Sequence, residues 1–141
     1  RSEIMIGNWM RFRRNRDDLV VATKVGKGPD HPGVTTRAIS AAVEDSLRRL
    51  RTDRIDLLYL HVDDPEVPFE QTLLAVDELI RAGKVRAFGA SDHAGNRLVE
   101  ARIASAQLGV ASRAEHVDDF ATATRLRLSR HQLLELDRAS S

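Results

Sequence analysis

The chain contains no cysteine, which excludes disulfide stabilisation, thiol nucleophiles and cysteine-ligated metal. Aromatic side chains are scarce at 4% of residues, with one Trp and one Tyr, so the single phenol, Tyr59, is a position to account for. Neither sign of charge dominates: 22 basic and 21 acidic residues leave a formal net charge of +1. That balance provides no electrostatic footprint for nucleic acid or an anionic membrane. No apolar run approaches the roughly 18 residues of a membrane span, and no charged-then-apolar leader opens the chain, so a cytoplasmic protein is the expectation.

What is present is an ordinary globular composition, 42% apolar and 30% charged over 141 residues, enough for one domain with a real core. Ser2 to Arg14 carries Ile6, Trp9, Met10 and Arg13 at helical spacing before Asn15-Arg16-Asp17-Asp18 breaks the pattern. Leu19 to Val25, LVVATKV, is β-branched and apolar except for Thr23 and Lys24, and it runs into a loop, Gly26 to Gly33, with three glycines and two prolines. Thr35 or Thr36 can cap a helix whose buried stripe is Ile39, Ala42, Val43, Leu47 and Leu50. Ile55 to Leu60, apolar apart from Asp56, reads as a buried parallel strand that ends at His61 and is stopped by Asp63-Asp64-Pro65. Pro68 suits a first helical turn, Phe69, Leu73, Val76 and Ile80 form the next stripe, and Gly83 ends it. Val85 to Ala90 is a third strand, closing on Ser91-Asp92-His93. Further helices are expected over Leu98 to Ala106, about Ala114 to Thr124, and Arg130 to Ala139, the last opened by a Ser129-x-x-Gln132 capping box.

The polar strand ends Lys24, His61 and Ser91 are 37 and 30 residues apart, the length of a repeated βα unit. Right-handed crossovers make such strands parallel, so all three ends fall on one rim of one sheet, where α/β proteins place their chemistry. A histidine capping a strand is unremarkable alone, and a lysine near a strand end can simply snorkel to solvent. Together, an ammonium and an imidazole facing one pocket can polarise a carbonyl or tune a nearby acid, which suits several reaction types. A metal-dependent hydrolase or isomerase using His61, Asp63 and Asp64 is one of them, although Lys24 is a poor neighbour for a cation. A helix-turn-helix over Ala114 to Arg138 is disfavoured by the acidic Glu115, Asp118 and Asp119.

Three stretches, LVVATKVG, AAVEDSLRRLRTDRIDLLYLH and LIRAGKVRAFGASDH, resemble the central portion of the aldo-keto reductases, nicotinamide-dependent (β/α)8-barrel oxidoreductases. The resemblance implies that Lys24 ends the barrel's third strand and His61 its fourth, and that both belong to a catalytic tetrad with a tyrosine and an aspartate. It implies hydride transfer to a small-molecule carbonyl or sugar, with the lysine lowering the tyrosine's pKa and the histidine orienting the carbonyl. It also implies that Ser91 and Asp92 meet the nicotinamide carboxamide, with Asp92 where the family has an asparagine donor. Ser112, Arg113 and His116 would hold the adenosine end, and His116 stands where many members carry an arginine for the 2′-phosphate, so NADPH is favoured with NADH possible. Val62 replaces an aromatic wall of the substrate pocket.

On this reading the fold class is an incompletely represented (β/α)8 TIM barrel. A closed barrel takes eight strands and about 250 residues. Residues 1–110 would carry a helix and βα units three to five, and residues 111–141 the C-terminal cofactor loop and helices. The tetrad's aspartate and tyrosine would precede Arg1. The family's strands six to eight fall between Val110 and Ala111, so the two parts are expected to be discontinuous in the barrel, since three open strands would leave two bare edges. Tyr59, two residues before His61, reads as core one layer deeper on the same face. A non-catalytic nucleotide-binding relative or inactive fragment is the remaining alternative.

Overall fold

The computed structural model describes residues 2–90 and 103–104. Its elements are α1 (Ser2–Arg13), a 3-10 turn (Arg16–Asp18), β1 (Ala22–Val25), α2 (Thr36–Leu50), β2 (Ile55–Leu60), α3 (Phe69–Arg81) and β3 (Val85–Ala90). The three strands form one parallel sheet in the order β1-β2-β3, as the repeated βα spacing predicted. Residues 103 and 104 are helical, within the helix expected over 98–106, while the two helices expected beyond residue 113 lie outside the described residues.

Each helix follows from its sequence. Thr35 is the N-cap of α2, its hydroxyl accepting from the Ala38 N–H at 3.3 Å. At the other end Arg51 takes the left-handed conformation, and the Thr52 N–H reaches back to the Leu47 carbonyl at 3.2 Å. Pro68 stands one position earlier than the sequence suggested: it is the N-cap of α3, where its fixed φ is accommodated and its carbonyl accepts from Gln71 at 3.0 Å. Gly83, at φ 73°, provides the stop beyond Ala82.

The buried cluster is built from one face of the sheet and the helices laid over it. Val25, Leu58 and Leu60 meet Ile39, Val43, Leu47 and Leu50 of α2 and Val76 and Leu79 of α3. Met10 of α1 joins the same cluster, and α1 packs on the carboxyl end of α2. The contact is close because Gly7 has no side chain: a Cβ there would lie 2.6 Å from the Arg49 and Leu50 carbonyl oxygens. Glu3 fixes the same helix, accepting from the Thr23 hydroxyl of β1 and from Arg49 Nε of α2, both at 2.6 Å.

A second polar cluster closes the amino ends of the strands. The Asp56 carboxylate is 8% exposed; its Oδ2 accepts from the Val21 N–H at 2.9 Å and lies 2.7 Å from Arg16 Nη2. Arg86 Nη1 approaches Oδ1 at 3.3 Å and Arg54 Nε at 3.6 Å. The Arg16 guanidinium also donates to Thr52 Oγ1 and to the Leu19 and Arg54 carbonyls. This cluster explains why β1 is shorter than the apolar run that suggested it. Before Ala22 the Val21 N–H is taken by a side chain rather than by a ladder carbonyl, although the Val21 carbonyl still accepts from Asp56 and Leu57.

Three outcomes follow from these contacts. In an open helix interior Gly→Ala stabilises by about 0.5–1 kcal/mol; Gly7→Ala instead lowers the thermal midpoint, because overpacking against backbone costs about 1–3 kcal/mol. An unchanged or raised midpoint would show that α1 does not sit on α2 this closely. Asp56→Ala leaves Arg16 and Arg86 without their carboxylate and the buried Val21 N–H without its acceptor, and destabilises by about 3–5 kcal/mol in urea titration; a loss below about 1 kcal/mol would contradict the clamp. Burial raises the Glu3 carboxyl, but hydrogen bonds from Thr23 and Arg49 outweigh it and hold the group below its ordinary 4.5. Its contribution is therefore present above the unfolded value and lost as pH falls through the lowered one. Glu3→Gln lowers stability at neutral pH and flattens its acid dependence, and parallel pH profiles for the two proteins would refute this.

Candidate active site

Strand alternation divides the sheet into two chemically different faces. Val25, Leu58 and Leu60 point to the helices, while the register puts Ala22, Lys24, Leu57, Tyr59, Ala87 and Gly89 on the other face. The ladder continues one residue past β2, with the His61 N–H donating to the Val25 carbonyl at 2.9 Å, so His61 also belongs to the face of Tyr59 and Lys24. The face opposite the helices therefore carries an ammonium, a phenol and an imidazole on two adjacent strands.

Their heights differ. Lys24 is the register partner of Tyr59, so its Cα lies two residues below His61, about 6.6 Å at the strand rise. A four-carbon stem can climb that distance. Its Nζ lies 5.9 Å from the centroid of the Tyr59 ring, within the range of a cation–π contact. Lys24 is exposed, and among the described residues it has no carboxylate within ion-pair distance. Tyr59 and His61 are half-buried. The sequence reading placed Tyr59 in the core; among the described residues it is half-buried, with the Lys24 ammonium near its ring. That pairing was not visible beforehand because it depends on strand register.

The loops above the strands are fixed locally. Gly26 adopts φ 108°, and a Cβ there would stand 2.7 Å from Val62 Cγ1, so the residue following His61 leans over the end of β1. Gly33 N–H donates to the Gly26 carbonyl at 2.8 Å, closing the loop, and His31 Nε2 lies 3.3 Å from Asp45 Oδ2, tying it to α2. A pocket beside the carboxyl end of β2 is lined by Val34, Leu60, Val62, Asp63, Asp64, Val67, Phe69 and Thr72. It opens on the helix side and includes neither Lys24 nor His61.

The metal-site alternative finds no support in this geometry. Asp64 Oδ1 accepts from the Glu66 N–H at 3.0 Å in a local turn, and among the described residues no three His, Asp or Glu side chains group to hold an ion. The strand that should present Ser91 and Asp92 ends at Ala90, immediately before them. Ser91, Asp92, Ser112, Arg113 and His116 all lie outside the described residues.

Known proteins match this chain over part of its length. Norsolorinic acid reductase B of Aspergillus parasiticus is 38% identical over 101 residues, covering 64% of this chain and 26% of that protein. A putative aryl-alcohol dehydrogenase of Saccharomyces cerevisiae is 39% identical over 102 residues, with 64% and 27% covered. An aryl-alcohol dehydrogenase [NADP(+)] of Phanerodontia chrysosporium is 36% identical over 104 residues, again with 64% and 27% covered. The chain thus spans about a quarter of the length of these relatives. The profile of the aldo/keto reductase family matches residues 1–118, and the chain belongs to that family.

Proposed function

We propose that the protein containing this chain is an NADPH-dependent oxidoreductase that reduces the carbonyl of an aldehyde, ketone or sugar to an alcohol, or runs the reverse reaction. The observation that carries this reading is the placement of Lys24 and His61 on one face of one sheet, at the carboxyl ends of adjacent strands, opposite the helices. The described residues suit the carbonyl end of such a reaction. When bound, the nicotinamide supplies the hydride. NADPH over NADH is favoured by His116 near the expected 2′-phosphate and by the NADP(+) in the name of one relative. Ser91, Asp92, Ser112 and Arg113 are the proposed nucleotide contacts.

The roles of the chain's own groups follow from their surroundings. Lys24 stands exposed on the face it shares with His61, and a cation there lowers the pKa of a phenol brought next to it. His61 stands one layer higher with its backbone fixed by the Val25 carbonyl, placing an imidazole where a carbonyl oxygen can be oriented by hydrogen bonding. Val62, packed toward Gly26, leaves the site without an aromatic wall at that position, which suits bulky or aromatic carbonyl compounds.

In the complete barrel, Lys24→Met and His61→Ala each lower kcat by about 10²–10⁴-fold, the size of a lost acid–base or positioning group. Nucleotide binding, followed by protein fluorescence, persists in both. Wild-type-like turnover in either variant would remove that residue from the mechanism. Nucleotide binding without turnover by the unmodified protein on a panel of aldehydes and ketones would favour a non-catalytic relative.

A further inference from the structure

The loop Gly26–Gly33 begins two residues after Lys24, and in a barrel of this kind the loops at the carboxyl ends of the strands shape the ligand site. Three glycines in so short a loop leave it free to move unless contacts fix it. Its two ends are fixed by the neighbouring βα unit. At the first, Val62 packs so closely on Gly26 that a Cβ there would stand 2.7 Å from Val62 Cγ1. At the last, the Gly33 N–H closes on the Gly26 carbonyl at 2.8 Å, and the next residue is held from α3: Thr72 Oγ1 donates to the Val34 carbonyl at 3.1 Å. That carbonyl lies outside the α2 ladder, which begins with the Thr35 carbonyl accepting from Ile39 at 2.9 Å. Val34 and Thr72 are 4% and 3% exposed, so the bond is shielded from solvent, and a buried acceptor that loses its donor is costly. The strands and helices that bury this bond, β1, β2, α2 and α3, are all within the described residues.

We propose that Thr72 is a positioning residue: its hydroxyl, through the Val34 carbonyl, holds the loop Gly26–Gly33 as a fixed wall beside Lys24 and His61, against which the carbonyl substrate binds. The brace stands on geometry alone; the part of the loop in binding rests on the carbonyl reduction proposed above. A wall fixed beforehand favours bound substrate and transition state equally, so loosening it weakens binding without slowing the chemistry.

The complete protein is compared with Thr72→Val, Thr72→Ala and Thr72→Ser. In Thr72→Val and Thr72→Ala, amide hydrogen exchange read by mass spectrometry quickens in peptides covering residues 26–34 and is unchanged in those covering β2. Thr72→Ser, which keeps the hydroxyl, exchanges as the unmodified protein does. Unaltered exchange over residues 26–34 in the two variants lacking the hydroxyl overturns the brace. Equal acceleration over β2, or failure of both variants to fold, makes Thr72 a general core residue and overturns it too. In steady-state kinetics on a panel of aldehydes and ketones, KM for the carbonyl compound rises about 2- to 10-fold in both variants, the size of one lost hydrogen bond. kcat and nucleotide affinity hold, and Thr72→Ser keeps the unmodified KM. Faster loop exchange with an unchanged KM overturns the positioning role and upholds only the brace. Turnover of no aldehyde or ketone by the unmodified protein overturns the proposed function and the binding role with it, while exchange still decides the brace.

Discussion

The buried carboxylate of Asp56 fixes what the rest of the described structure depends on, the register of β1 on β2. Its Oδ2 takes the Val21 N–H and the Arg16 guanidinium together, at 2.9 and 2.7 Å. Arg16 in turn ties down the turn before β2 through Thr52 and Arg54. A carboxylate desolvated to this degree is costly unless its hydrogen bonds are made, so a slipped pairing that left it facing Val21 without that N–H would be penalised. Because strand side chains alternate, a slip of one residue would move Lys24 to the helix side and bring Thr23 to the open face. The polar clamp at the amino ends thereby decides which groups appear toward the carboxyl ends.

The same division of labour is characteristic of the (β/α)8 barrel, the fold of this family. In such barrels the amino-terminal rim stabilises and the carboxyl-terminal rim carries the chemistry. The charged residues follow this pattern. Asp56 and its three arginines are tightly interconnected at one end, whereas Lys24 toward the other has a single aromatic neighbour among the described residues. The two ends of the sheet thus carry different tasks. The face bearing Lys24, Tyr59 and His61 is the one that a barrel turns toward its axis, where side chains from neighbouring strands fill layers.

Much of the fold was legible in the sequence because each element carries a local cause. The α2 stripe has helical period, Thr35 caps it, Gly83 ends α3, and the apolar run of β2 closes at a histidine. Lys24 and His61 were legible as candidates for the same reason: polar groups at the ends of apolar runs conflict with burial and need an explanation. The missed features are non-local. Nothing in the local pattern shows that Val21 will give its N–H to Asp56, which trims the start of β1, or that Gly7 lets α1 approach the Arg49 and Leu50 carbonyls. The pairing of Lys24 with Tyr59 is of this kind as well, since each residue's position in its own strand was readable but the offset between strands was not.

The placement of Tyr59 shows what strand parity gives and what register adds. Counting back two residues from His61 put the phenol on the correct face and one layer lower, and depth then suggested core. Depth, however, is set by what the neighbouring strands supply at that layer. On one side they supply Gly89, with no side chain, and on the other Lys24, whose stem lies alongside while its charge seeks a partner. Across the three described strands the layer is therefore occupied by an aromatic ring and a lysine rather than by three apolar side chains. Lys24 thus stands one layer beneath His61 on the face they share, from which its long stem can reach a group arriving above.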